Sequence, residues 1–233
     1  MLRIQERTKK TRGNESTDRG EKKTTVEKWL AGSTLLMAVF VFSLTGLQKA
    51  HAGILLEPYL GYEFGTADQT YGSSNDGKST KFLGSGTVIG ARVGWTIPFL
   101  FFALDYSMGT GQKFTVHEDS LGSVEDQDGS RSTLAAVVGV KVPLLRAYAG
   151  YAFINDLKNK DSVSDDTLKG SAVKLGASFT GFPLISLNAE YLVSTYNKMV
   201  PGNGSEYTLG SDQTVKEAKS QMLLLSVSVP FDI

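Results

Sequence analysis

The sequence predicts an all-β fold: eight antiparallel strands in up-and-down order, closed into a transmembrane barrel that follows a cleavable export signal. Three observations carry that prediction. Residues 53–233 fall into runs in which apolar and polar residues alternate, the runs are joined in turn by tight proline-bearing turns and long polar connections, and a basic, then apolar, stretch precedes them.

The leading stretch is chemically unlike the rest. Residues 1–52 hold 10 Lys+Arg against 5 Asp+Glu, leaving 14 against 19 for residues 53–233, although the whole chain sums to zero. A neutral total gives no reason to invoke nucleic acid as a partner. Residues 1–28 are polar and lack apolar periodicity, which reads as a basic extension without a core. Residues 29–47 carry no charge, with a dense apolar centre at 35–44, and Ala50-His51-Ala52 supplies the small-x-small pattern of a signal-peptidase site. Cleavage is expected after Ala52, which makes residues 1–52 the extension plus signal peptide and 53–233 the barrel domain. A retained single-span anchor is the competing reading, weakened by Gly32, Ser33, Thr34, Ser43 and Thr45 within the run. The chain has no cysteine, so disulfides, thiolate nucleophiles and Cys-based metal sites are excluded.

The strands follow in order, apolar series first. Near 55–66, Leu56, Leu60, Tyr62 and Phe64 alternate with Glu57, Tyr59, Gly61 and Glu63. The second and third strands, over 88–107, form a hairpin about Pro98: Ile89, Ala91, Val93, Trp95 and Ile97 against Val88, Gly90, Arg92, Gly94 and Thr96, then Phe102, Leu104, Tyr106 and Met108 against Ala103, Asp105, Ser107 and Gly109. Near 131–142, Leu134, Ala136, Val138, Val140 and Val142 oppose Thr133, Ala135, Val137, Gly139 and Lys141. Near 145–155, Ala147, Ala149, Tyr151 and Phe153 oppose Arg146, Tyr148, Gly150 and Ala152. Near 168–180, Val173, Leu175, Ala177 and Phe179 oppose Ala172, Lys174, Gly176 and Ser178. Near 184–196, Ile185, Leu187, Ala189, Tyr191 and Val193 oppose Ser186, Asn188, Glu190 and Ser194. The last, near 219–231, sets Leu223, Leu225, Val227, Val229 and Phe231 against Ser226 and Ser228, with Met222 and Leu224 blurring the polar series.

The turn motif repeats. TIPFLFF at 96–102 recurs as KVPLLRA at 141–147, GFPLISL at 181–187 and VPFDI at 229–233, with the prolines 45, 40 and 47 residues apart. Such self-similarity marks repeated hairpins, and each proline stands between runs because it cannot donate to a central ladder. Three turns are tight, at Pro98, Pro143 and Pro183, and four connections are long, at 67–80, 110–130, 156–167 and 197–218. In a meander the tight turns share one end, and both termini fall with them.

Alternation alone suits a soluble lipocalin-like barrel as well as a membrane barrel. The polar series decides for the membrane. It carries Gly, Ala and Ser with single charges, which suits the narrow interior of an eight-stranded barrel. Aromatics also collect near the two ends of the apolar series, with Trp95, Phe99, Phe179, Phe182 and Phe231 toward the turns and Phe64, Tyr106, Phe153, Tyr191 and Tyr196 toward the loops. Strands of about 11 residues, tilted about 45°, cross a hydrocarbon layer about 25 Å tall.

Eight charges fall on the inward series: Glu57, Glu63, Asp105 and Glu190 against Arg92, Lys141, Arg146 and Lys174. Buried in a narrow lumen they are expected to pair with one another. Pairing serves either a structural network that fills the lumen or a plugged, gated polar core.

Eight alternating strands, four long loops opposite three tight turns, and a last strand ending in an aromatic resemble the small eight-stranded outer-membrane proteins of the OmpA-barrel and OmpX type. The resemblance covers 53–233 and is one of architecture. It implies residence in the bacterial outer membrane with periplasmic termini, contact with outer-membrane lipid, and recognition of the C-terminal strand by the barrel-assembly machinery. In such families the last residue is usually Phe; here Phe231 precedes Asp232 and Ile233. A peptidoglycan-binding domain after the barrel, as in full-length OmpA, is not expected from the 233 residues.

Chemistry is sparse beyond that. Lipid-modifying barrel enzymes need a His with a Ser beside it, and after cleavage His117 is the one histidine, with Ser120 nearby in an acidic loop that suits a solvated side chain equally well. Asp126-Gln127-Asp128-Gly129-Ser130 has the oxygen-rich spacing of a calcium loop without its distal ligands. Gly84, Gly86 and Gly90 open no helix and form no phosphate cradle. No catalytic residue, cofactor or metal is therefore assigned. The expected role is structural or surface-interacting, with extracellular ligands at the loops; a narrow pore for small solutes is the alternative, and a lipid-modifying enzyme a more distant one.

Overall fold

In the computed structural model, residues 52–72, 75, 77–122, 125–160, 165–210 and 215–233 are described, so the expected signal segment up to His51 lies outside the described residues. Eight strands make the barrel wall: β1 (Gly53–Tyr71), β2 (Ser79–Ile97), β3 (Leu100–Asp119), β4 (Gln127–Val142), β5 (Leu145–Lys160), β6 (Thr167–Phe179), β7 (Ser186–Val200) and β9 (Val215–Ser228). A two-residue strand, β8 (Tyr207–Thr208), lies in the connection after β7, and β10 (Phe231–Asp232) prolongs β9. Each wall strand pairs antiparallel with its neighbour, and β9 pairs with both β7 and β1, closing the sheet without an edge.

The predicted alternation sets the faces. Leu60, Val93, Leu104, Val138, Leu175 and Leu225 lie exposed on the outer wall, whereas Glu57, Arg92, Asp105 and Glu190 are fully buried. Inward glycines are explained by their cross-strand partners. Tyr59 lies opposite Gly90, Phe101 opposite Gly139, Phe114 opposite Gly84 and Tyr148 opposite Gly176. A Cβ at any of the four glycines would collide with the facing ring. Absent side chains on one strand thus make room for large ones on the next, filling a bore too narrow for two rows of bulk.

The wall is taller than predicted. β1, β2 and β3 run 19, 19 and 20 residues, so half of 67–80 and two-thirds of 110–130 is strand rather than loop. Above the apolar band the faces exchange character. Phe82, Phe114, Leu157, Leu168, Tyr196, Val215 and Met222 point inward as the upper part of a hydrophobic cluster that also takes in Tyr148, Phe101 and Leu55 lower in the bore, with Val116, Leu121, Met199 and Leu209 packed against it. Outside, charges face each other across the ladders: Asp68 against Lys81 and Lys219, Lys113 against Asp128, and Asp156 against Lys169. Tyr196, expected among the lipid-facing aromatics, belongs to this inner cluster, 3% exposed.

A bulge makes the exchange in each of β3, β5 and β7. Register shifts place extra residues in β3 between Gly109 and Gln112, in β5 between Ala152 and Asn155, and in β7 at Asn197, opposite the Lys169–Gly170 step. A one-residue insertion flips every later side chain to the other face. Gly111, with φ of 60°, supplies the left-handed residue that the β3 bulge uses.

Candidate functional site

The concentration of chemistry lies inside the barrel at the level of the apolar band. Arg92 on β2 is its hub. Its Nε donates to Asp105 Oδ2 at 3.0 Å, its Nη2 donates to Glu190 Oε1, and its Nη1 stands 3.6 Å from Glu57 Oε2. The guanidinium is stacked between two rings, 4.9 Å from the centroid of Tyr59 and 4.7 Å from that of Tyr148. Tyr59 in turn donates its hydroxyl to Asp105 Oδ1 at 2.7 Å. A planar fork held by three carboxylates and two rings is a position that only arginine fills.

Two further cations complete this layer. Lys174 on β6 bridges Asp105 Oδ2 and Glu190 Oε2, each at 2.9 Å. Arg146 on β5 binds Glu57 through both oxygens, at 2.9 and 2.6 Å, and Ser228 Oγ donates to Glu57 Oε1 at 2.5 Å. Below lies a neutral net, in which Asn188 accepts from Ser178 and donates to Ser226 and Ser228. Above, Glu63 accepts from Arg131 Nη2 and Gln112 Nε2.

Seven of the eight sequence-predicted lumen charges, Glu57, Glu63, Arg92, Asp105, Arg146, Lys174 and Glu190, are therefore buried and bonded inside the wall. Lys141 is placed differently. It is the penultimate residue of β4, opposite Arg146 at the tight-turn mouth, and half-buried there. The cation within the network that sequence reasoning missed is Arg131, 5% exposed and bound to Glu63. The signal was present: Arg131 continues the inward series of Thr133 and Ala135, two residues earlier.

The bore is nearly filled. Between Glu63, Ser107, Arg131, Lys174 and Glu190 lies a cavity of about 10 Å³, room for about one water. Above it the apolar cluster around Phe82, Phe114 and Met222 occupies the axis.

The weaker chemical candidates fall on the part of the wall above the bulges, at the long-loop end. His117 is exposed near the end of β3, while the Ser120 hydroxyl accepts from Ser79 N at 2.7 Å and donates to Ser79 O at 2.8 Å, tying the ends of β3 and β2 together. Asp126 Oδ1 accepts from Val116 N, and Gln127, Asp128, Gly129 and Ser130 open β4, where successive side chains point to opposite faces instead of converging as cation ligands do.

A closed antiparallel barrel with apolar residues outside and paired ions inside defines a transmembrane β-barrel. The model of the outer membrane protein beta-barrel domain matches residues 34–231, and the chain belongs to that family. It is thus a bacterial outer-membrane barrel protein. Among solved structures, neisserial surface protein A is similar at 22% identity, covering 78% of this chain and 99% of its own with a TM-score of 0.44. OprG of Pseudomonas aeruginosa is 13% identical over 79% of this chain and 99% of its own, TM-score 0.49. The attachment invasion locus protein Ail of Yersinia pestis is 12% identical over 78% of this chain and 100% of its own, TM-score 0.46. No curated protein matches the sequence.

Proposed function

We propose that the protein serves the outer membrane as a closed structural barrel whose extracellular collar and loops are its interacting part. The filled bore carries this reading. A conducting pore needs a continuous polar path, and here the axis holds a bonded charge layer of Arg92, Arg146 and Lys174 with Glu57, Asp105 and Glu190, beneath an apolar plug. The same ions are accounted for as mutual partners.

The collar supports the second half. Its outer face bears Lys and Asp or Glu in cross-strand opposition on a rigid, apolar-cored β-wall, a surface suited to an extracellular ligand that reads both charges. In this reading the termini are periplasmic, residues 1–52 are removed as an extension and signal peptide, the outer wall contacts outer-membrane lipid, and the assembly machinery engages the last strand through Phe231. The test is conductance of the purified protein in planar bilayers. A silent membrane is expected; steady, reproducible single-channel steps would replace this reading with the pore.

A further inference from the structure

Two of the bulges leave a recess in the outer wall, at the lower edge of the collar. In β5 the pairing with β6 jumps from Ala152 opposite Ala172 to Asn155 opposite Gly170, so Phe153 and Ile154 both turn outward, 49% and 42% exposed. In β7 the pairing steps from Tyr196 to Lys198, and Asn197 and Lys198 are both exposed. Between these two walls β6 offers only Ser171 and the backbone of Gly170. The result is an open pocket of about 490 Å³, within the size range of small-molecule sites.

The walls differ in chemistry. Tyr151, Phe153 and Ile154 on β5 make an apolar, largely aromatic face. Asn197 and Lys198 stand opposite on β7, and Asp156 and Lys169 close the rim toward the loops.

Charge and bonding narrow the ligand. Lys169 and Lys198 are both held by Glu206, at 3.0 and 2.7 Å, and Lys169 faces Asp156 across the ladder. Two lysines and two carboxylates cancel, which gives an ionic ligand no net charge to meet. The side chains of Asp156, Ser171 and Asn197 make no hydrogen bond among the described residues. An acceptor, a hydroxyl and an amide are thus free to bond a ligand. A purely apolar ligand would cover these groups without pairing them. A ring with hydroxyls on its rim and C–H groups on its face suits both walls, because the negative π-face of an aromatic attracts the C–H groups.

We propose that the recess between the β5 and β7 bulges binds a hexopyranose, an uncharged sugar ring, with Tyr151 and Phe153 against its C–H face and Asp156, Ser171 and Asn197 on its hydroxyls. This rests on the reading of the collar as the interacting part and names the class of its ligand. Two sources carry such a ring, a free saccharide and the sugar head of a membrane lipid.

The test titrates methyl glucoside, methyl galactoside and methyl mannoside into the full chain in dodecylphosphocholine micelles, a detergent without sugar, and follows amide shifts by NMR. Expected is saturable binding of at least one of them at about millimolar concentration, with shifts centred on Ser171 and Asn197. Ser171→Leu, which fills the floor, and Tyr151→Ala, which shortens the aromatic wall, should each weaken it about tenfold. Both positions face outward, away from the buried charge layer, and the heat-dependent gel-mobility shift checks that each variant is folded. No saturable binding by any of the three, or binding that both variants leave unchanged, would overturn the proposal. Methyl glucuronide bound more tightly than methyl glucoside would overturn the uncharged assignment. Shifts confined to other collar residues, such as Lys113 and Asp128, would overturn this pocket while leaving the collar reading intact, and conductance tests the closed barrel separately. Octyl glucoside separates the sources: after correction for its uptake into micelles, binding tighter than that of methyl glucoside assigns a lipid-borne ring, and equal binding a free one.

Discussion

Arg92 and Glu190 stand 98 positions apart in the chain and meet across the lumen, guanidinium Nη2 donating to Glu190 Oε1. Both are 1% exposed. Neither charge can reach water, so each depends on the other and on the ring of partners around them.

Arg92→Met is accordingly expected to be costly. It leaves Glu57, Asp105 and Glu190 to share Arg146 and Lys174, one positive charge short, and removes the filling between Tyr59 and Tyr148. Breaking a buried pair by deleting one partner costs about 3–5 kcal/mol. Urea unfolding in lipid should show a loss of that size, with Arg92→Lys recovering part of it, since a lysine keeps the charge but not the fork. A loss under about 1 kcal/mol would mean that Arg92 is not the hub.

The stacked rings around Arg92 depend on missing side chains. Tyr59 lies over Gly90 and Tyr148 over Gly176. Gly176→Ala drives a methyl into the Tyr148 ring, whose atoms are the nearest that a Cβ there would meet, and overpacking of this kind costs about 1–3 kcal/mol. Tyr148→Leu is expected to relieve most of that steric cost, so the two substitutions should be strongly non-additive in a double-mutant cycle of unfolding free energies. Additive losses would show that the ring and the glycine do not share one space.

How much of this was legible in the sequence depended on which way the alternation faced. Within the membrane, Leu104, Tyr106 and Met108 against Asp105 and Ser107 gave both the strand and its orientation, and the charges on the inward series led directly to the network. Above it, Phe114 and Val116 continue the even-numbered apolar series but face inward, because the β3 bulge at Thr110 and Gly111 moves the chain by one face. Read without the bulge, Gly, Asp and Ser in 110–130 signalled a loop. Arg131 was missed for a related reason: it and Lys141 both lie on the inward series of β4, but depth along the axis, which the period of two does not encode, decides that Arg131 is buried and Lys141 half-buried.

In the last connection the two lysines that face each other across β6 and β7, Lys169 and Lys198, share Glu206, at 3.0 and 2.7 Å. Hydrogen bonds from Lys198 and then Lys169 hold the Glu206 carboxyl below the usual carboxylate range. For an acid whose folded pKa is depressed, the stabilisation is present above the unfolded value, about 4.3, and is lost as pH falls through the folded one. The bridge should therefore be intact at neutral pH and open in acid. Amide exchange at Leu209, whose N–H bonds Asn197 O at 2.9 Å, should rise below about pH 4 beyond its intrinsic acid dependence, and Glu206→Gln should show the faster exchange already at pH 7. Equal exchange in the variant and the parent would remove the bridge from any role in ordering this loop.

The collar's inner residues are the upper part of an apolar cluster that continues down the bore to Tyr148, Phe101 and Leu55, and truncating one of them tests whether collar and membrane wall are separable in stability. Phe82, Phe114 and Met222 pack together above the charge layer, and Phe114 is 3% exposed. Phe114→Ala deletes a buried ring at a cost of about 3–5 kcal/mol. The strands below it are held by lipid and by an unbroken closed ladder, whereas those above the bulges face water on their outer side, so the loss should be met by local opening rather than global unfolding. Hydrogen exchange in the variant should accelerate at Leu83, Thr115 and Leu157 while Val93, Leu104 and Leu175 stay protected, and the heat-dependent gel-mobility shift should persist. Uniform acceleration from collar to turns would show instead that wall and collar unfold as one unit, and that the apolar plug contributes to closing the whole barrel.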